Sequence, residues 1–265
     1  MQSPTDQRVA LVTGASSGFG AAVARKLAAD GWHCILAARR KERLEQIAGE
    51  IGAEVEVCDV AERDQVAAMA ARVAGRHDAL HLLVNNAGIP GRGGFLDVEP
   101  ERIEQVVRTN YLGNVWALLE LLPLLEAGAP SHVATVASVA GVLAGGAGGP
   151  YTASKHAQVV FSRSIASELA PKGIRVHTIK PGFAETEGFP QDRFLTNPIA
   201  RRMVLSEDEV ADAILRAVRR NRREMFVPKF YAPAGMLYGA MPVTFSRLLG
   251  WVTRRRDASF RAEQA

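Results

Sequence analysis

Arg8-Val9-Ala10-Leu11-Val12-Thr13-Gly14-Ala15-Ser16-Ser17-Gly18-Phe19-Gly20 is the stretch on which the fold turns. Arg8–Thr13 reads as a short strand, and Gly18 to Asp30 reads as a helix closed by Gly31. The turn between them carries three glycines with separate duties. Gly14 permits a tight turn, Gly18 allows close backbone approach to a pyrophosphate, and Gly20 lets helix and strand pack closely. Free N–H groups and the dipole at the helix start favour phosphate at that point. A glycine string alone is weak evidence. Its strand–turn–helix setting makes dinucleotide binding the stronger reading, with Ser16, Ser17 and Phe19 also in the loop.

Outward from this unit the chain keeps alternating. Strands are expected at His33–Ala38, Glu54–Cys58, Leu80–Asn85, Ser131–Ser138, Ile174–Lys180 and Glu224–Val227. Helices are expected through Glu50, over Glu62–Ala74, Glu101–Glu126, Tyr151–Ala170 and Glu207–Arg220. Such alternation predicts an α/β, Rossmann-type doubly wound parallel sheet of seven strands, order 3-2-1-4-5-6-7, flanked by helices. No linker or repeat divides the 265 residues, so one dinucleotide-binding and catalytic domain is expected over 1–265.

The end of the second strand bears on cofactor choice. A site for NAD places an acid about 20 residues beyond the glycines to receive the ribose hydroxyls. This chain has Ala37-Ala38-Arg39-Arg40 instead. Arg39 can pair with a 2′-phosphate and stack on adenine, which favours NADP over NAD.

Farther along, Tyr151-Thr152-Ala153-Ser154-Lys155 sets a phenol and an ammonium one helical turn apart. A neighbouring cation favours phenolate, so this pair is expected to make a tyrosine that exchanges protons near neutral pH.

With the glycine loop and the Tyr–Lys pair in place, the chain resembles the short-chain dehydrogenase/reductase family, single-domain branch, over roughly residues 8 to 228. Further motifs carry the resemblance: Asp59-Val60, Asn85-Asn86-Ala87-Gly88, Asn110, Ser138, and Pro181-Gly182 followed by Thr186. The resemblance implies that Tyr151 is the general acid/base and that Lys155 lowers its pKa and holds the nicotinamide ribose. It implies that Ser138 bonds the substrate oxygen and that Asn110 supports a proton-carrying water chain. It also implies cofactor contacts from Asp59, Val60, Asn86, Ala87, Gly88, Pro181, Gly182 and Thr186. The expected activity interconverts a ketone or aldehyde and its alcohol, by hydride transfer at a nicotinamide. A dinucleotide-binding sensor or scaffold without turnover is the competing reading; the four catalytic positions argue against it. The family pattern also implies a homodimer or homotetramer, joined through the helices at Glu101–Glu126 and Tyr151–Ala170.

Residues 183–205 are expected to form a substrate flap. Its Phe183, Phe189, Phe194, Leu195 and Met203 suit an apolar substrate. The Gly-rich run from Val139 to Pro150 reads either as a roomy pocket wall or as close backbone packing. Residues 229–265 form a C-terminal extension whose apolar part, Phe230–Val252, is broken by Pro233, Gly235, Gly239 and Pro242. It is expected to roof the substrate site or pack on a partner subunit rather than span or rest on a membrane.

The net charge is +4, and the arginine clusters at 219–223 and 254–256 accompany no nucleic-acid motif, so no nucleic-acid partner is expected. Met1–Gln7 lacks an apolar leader segment, and a cytoplasmic location is expected. Cys34 and Cys58 lie in strand-like runs and read as buried, reduced thiols. His77 and His81 stand four apart without the carboxylates of a helical zinc motif, and no metal is assigned.

Overall fold

The computed structural model describes residues 7–91, 98–144, 149–183, 204–245 and 247. Seven strands among them form one sheet: β1 (Val9–Thr13), β2 (His33–Ala38), β3 (Glu54–Val57), β4 (Leu82–Asn85), β5 (Ser131–Val136), β6 (Ile174–Pro181) and β7 (Glu224–Val227). Every neighbouring pair is parallel, and the order is β3-β2-β1-β4-β5-β6-β7. The order reverses between β1 and β4. Both strands there send their following connections to opposite faces, which opens a crevice at their C-terminal ends.

The helices are α1 (Gly18–Ala29), α2 (Lys41–Ile51), α3 (Arg63–Ala74), α4 (Pro100–Val107), α5 (Gly113–Ala127), α6 (Gly149–Leu169), α7 (Glu207–Arg219) and α8 (Tyr231–Ala240). Alternate strand residues feed two separate cores. Val12, Leu36, Val84 and Ile179 point to the side of Leu27 and Ile214, which belong to α1 and α7. Leu11, Ile35, Leu83 and Val133 point to the side of Met69 and Leu121, which belong to α3 and α5. α7 begins with a capping box: Ser206 Oγ accepts from the Glu209 amide at 3.2 Å, and Glu209 Oε2 accepts from the Ser206 amide at 2.9 Å.

Two elements differ from expectation. The single helix expected over Glu101–Glu126 is interrupted by one π-helical turn, Arg108–Leu112, with Asn110 inside it. A π turn inserts about one residue and so rotates the following helix by about 100°, but five residues are too short a stretch for pattern reading to register. In the C-terminal extension, α8 forms despite Pro233. That proline sits in the first turn, where a helix has no use for its missing N–H.

Candidate active site

A cleft of about 330 Å³ opens over the C-terminal ends of β1, β2, β4 and β5. Its floor is the glycine loop. Gly14 has φ of 65°, a left-handed conformation that disfavours side chains, and a Cβ there would stand 2.8 Å from Ala87 Cα. A Cβ on Gly20 would meet Gly14 O at 2.4 Å, so Gly20 serves the close packing of α1 rather than the cleft wall. β4 braces the loop from beside it. Thr13 Oγ1 accepts from the Asn86 and Ala87 amides at 3.0 and 3.1 Å, and Asn86 Nδ2 donates to Thr13 O at 2.9 Å.

One end of the cleft is cationic. Arg40 Nε donates to Ser16 Oγ at 3.2 Å, and its Nη2 donates to Ser17 Oγ at 2.6 Å. Arg39 is more than half exposed and lies 3.6 Å from Asp59. Asp59 Oδ1 accepts from the Ala61 amide at 3.0 Å, so its carboxylate also shapes its own turn. Asp59 is the only carboxylate among the described lining residues, against Arg39, Arg40 and Lys155. Arg40 rather than Arg39 turns its guanidinium back over the loop, which adjacency in sequence does not show.

At the other end stand Tyr151 and Lys155, both on α6. Lys155 is buried, donates to Val136 O at 3.0 Å, and lies 5.6 Å from the Tyr151 ring centroid. Burial pushes the Lys155 ammonium down to about 7. Tyr151 keeps some surface along the cleft but is closely surrounded. Burial pushes its phenol up to about 12, and a hydrogen bond with Ser138 only partly opposes this. Burial therefore dominates at the Tyr151 phenol and sets the direction of its shift. Spacing brings the two groups together, but the cost of charging a buried phenol outweighs the pull of an amine that is itself half neutral at pH 7.

Ser138 is held against both neighbours. Its hydroxyl accepts from the Ala140 amide at 3.1 Å and lies 3.5 Å from Pro181 O. Behind them, Asn110 is fully buried. Its side chain closes on Ile89, accepting from the amide at 2.7 Å and donating to the carbonyl at 3.1 Å. Asn110 Nδ2 also reaches Ser154 Oγ at 3.0 Å, while Asn110 O accepts from Gln158 Nε2 at 2.6 Å. The π turn thus presents Asn110 to α6 with both its main chain and its side chain engaged.

Among the expected cofactor residues, Gly14, Ser16, Ser17, Gly18, Phe19, Arg39, Asp59, Val60, Asn86, Ala87, Gly88, Tyr151 and Lys155 line the cleft. Pro181 and Gly182 lie beside it under α8. A Cβ on Gly182 would stand 2.4 Å from the Tyr231 ring, and Gly235 sits over Phe226 and Val142, so the extension packs across this side. Thr186 and residues 184–203 of the flap lie outside the described residues. For the Gly-rich run, Gly141 answers to close packing: a Cβ there would meet Lys155 O at 2.6 Å. Cys34 and Cys58 are both free and buried, as expected. Among the described residues no helix is long and apolar enough to cross a membrane.

These features fit a dinucleotide. The cleft offers a glycine cradle that side chains would fill, hydroxyl and guanidinium groups at one end, and a phenol with an amine at the other. Comparisons with known proteins agree. The family model for short chain dehydrogenases matches residues 8–193. A Streptomyces violaceoruber protein provisionally named ketoacyl reductase 1 of the granaticin polyketide synthase is 37% identical over 220 residues, covering 79% of each chain. A short-chain dehydrogenase/reductase from Burkholderia phymatum, solved with NAD, superposes with a TM-score of 0.78 at 27% identity, covering 89% of this chain and 94% of its own. An actinorhodin polyketide ketoreductase variant solved with NADPH gives 0.72 at 30% identity, covering 81% and 91%.

Proposed function

The chain belongs to the short-chain dehydrogenase/reductase family and is an NAD(P)-dependent oxidoreductase; from that premise we propose that it reduces apolar ketones or aldehydes to alcohols with NADPH, reversibly, using Tyr151 as general acid. The observation that carries the proposal is the meeting of Ser138, Tyr151 and Lys155 at one end of the cleft, with Arg40 and its two serine partners at the other.

A bound nicotinamide dinucleotide would supply the hydride; the chain's residues supply binding and the proton. Gly14, Gly18 and the Ser16–Ser17 hydroxyls would take the pyrophosphate end. Arg40, aided by Arg39, would take a 2′-phosphate, and the absence of an acid at the end of β2 supports NADP over NAD. Ser138 Oγ would donate to the substrate oxygen as charge grows there. Tyr151, a neutral phenol at pH 7 because burial raises it to about 12, stands ready to give that oxygen its proton. Lys155, at about 7, takes protons up from the solvent side and returns them within the neutral range. Asn110 would hold the path behind Lys155, its side chain already fixed on Ile89 and Ser154.

Apolar substrates suit the aromatic side chains beside the cleft, Tyr231 packed on Gly182 and Phe226 under Gly235, and the ketoreductase names among the relatives support a carbonyl substrate. Exposed Leu119 on α5 and Val160 on α6 support pairing of two copies through these helices. The test is NADPH oxidation over a panel of hydrophobic ketones and aldehydes, run with the wild type and with Tyr151→Phe. Turnover that depends on Tyr151 is expected; a folded, NADPH-binding wild type that reduces none of the panel would overturn the proposal.

A further inference from the structure

At the end of the sheet remote from the cleft, His33 and Glu54 open β2 and β3, and His77 follows α3 in the adjoining turn. Glu54 Oε1 lies 2.7 Å from His33 Nε2 and 2.8 Å from His77 Nε2. The two imidazole rings are tilted 41° with centroids 5.3 Å apart, and the three ligand atoms all fall within 4.8 Å of one another. Arg76 Nε holds the other oxygen of Glu54 at 2.9 Å, which fixes the carboxylate with Oε1 turned to the histidines. The side chains of His33, Glu54 and His77 keep 23%, 29% and 15% of their surface, so an ion can reach them without unfolding the chain. His81, four residues beyond His77, is engaged elsewhere: its Nδ1 accepts from the Val9 amide at 3.1 Å.

We propose that His33, Glu54 and His77 form a binding site for a borderline divalent cation, best suited to Zn²⁺, with a fourth position left to water. Two imidazoles and one carboxylate match the ligand preferences of zinc, copper and nickel rather than those of calcium or magnesium. Zinc bonds of about 2.0–2.2 Å in tetrahedral geometry set adjacent ligand atoms roughly 3.3 Å apart. The present contacts would open by about half an ångström, a side-chain adjustment for three partly exposed groups. Glu56 is already shared by Arg72 and Arg76, so the cluster carries no surplus of negative charge. Affinity therefore comes from the inner ligands and is expected in the micromolar range. The ion would tie the edge strand β3 to β2 and to the end of α3, independently of the cleft.

Calorimetric titration of the metal-stripped enzyme with zinc chloride tests this. One equivalent should bind to the wild type and raise its melting temperature, because the ion binds the folded chain alone. His33→Gln and His77→Gln should each weaken that binding by about tenfold or more. Both should keep NADPH binding and the wild-type melting temperature in the absence of zinc. If His33→Gln fails to fold, His77→Gln carries the test, because His77 lies outside the sheet. No single-equivalent binding to the wild type overturns the proposal, and so does binding that survives undiminished in His77→Gln.

Discussion

Lys155→Met keeps the length and apolar stem of the side chain and removes its titrating group. Lys155 is 4% exposed, its nitrogen donates to Val136 O, and burial lowers its pKa from 10.5 to about 7. Below pH 7 the amine is protonated in both folded and unfolded chains, and the folded state bears the full cost of a buried ammonium. As pH rises toward 10.5 the unfolded chain holds the proton alone, so that cost disappears and stability rises. The slope is about 1.4 kcal/mol per pH unit. Between about pH 7 and pH 10 the wild type should therefore gain up to about 4 kcal/mol relative to Lys155→Met. Urea denaturation of the cofactor-free proteins across that range measures the difference. The buried thiols of Cys34 and Cys58, pushed up to about 12 and about 11, oppose the trend but are common to both proteins and cancel. Parallel stability–pH curves for the two proteins would refute the reasoning, since they would mean that Lys155 titrates as an ordinary surface amine.

Two further substitutions probe the two sides of the molecule. Arg40→Asp should weaken NADPH binding by about tenfold to a hundredfold, the worth of a charge-assisted contact, while leaving NADH binding near its wild-type level. Arg39→Asp should act in the same direction but more weakly, because Arg39 is exposed and partly engaged by Asp59; comparison of the two Kd values checks this. Glu224→Gln removes the counter-ion of Lys180, a fully buried lysine whose nitrogen reaches Glu224 Oε2 and lies 4.2 Å from the Phe226 ring centroid. A loss of about 3 kcal/mol is expected by denaturation, the low end for a broken buried pair because Glu224 keeps some solvent. Arg163 and Lys180 hold the Glu224 carboxyl down to about 2. Its contribution should be complete above pH 4.5 and vanish as pH falls toward 2.

The parallel sheet was legible in the sequence because its strands are buried on both faces and read as short apolar runs between amphipathic helices. β2 and β7 were expected at the bounds they take, and the strand order follows from the right-handed crossover rule. The glycine loop, Arg39, Asp59 and Asn86 were legible for a different reason: each sits at a strand end, where the loop chemistry is local, while Tyr151 and Lys155 stand one turn apart on a helix. What pattern reading missed depends on the third dimension. The π turn at Asn110 is too short to show in the hydrophobic pattern, and α8 hides behind a proline that is harmless in a first turn. Arg40 and Arg39 are equivalent in a string, and only the loop geometry sets one over Ser16 and Ser17. Spacing reports the cation beside Tyr151 but not the depth of burial, which sets the direction of the phenol's shift. His33, Glu54 and His77 are separated by more than twenty residues at each step, and only the pairing of β2 with β3 and the return of α3 bring them together.

The central claim is that Tyr151 gives the substrate its proton while the rest of the chain holds the cofactor and the substrate oxygen. Steady-state reduction of a hydrophobic ketone by Tyr151→Phe, paired with NADPH binding by the same protein, tests it most directly. The account predicts turnover lowered by about a hundredfold or more with the Kd for NADPH nearly unchanged. Turnover at the wild-type rate in Tyr151→Phe would contradict it.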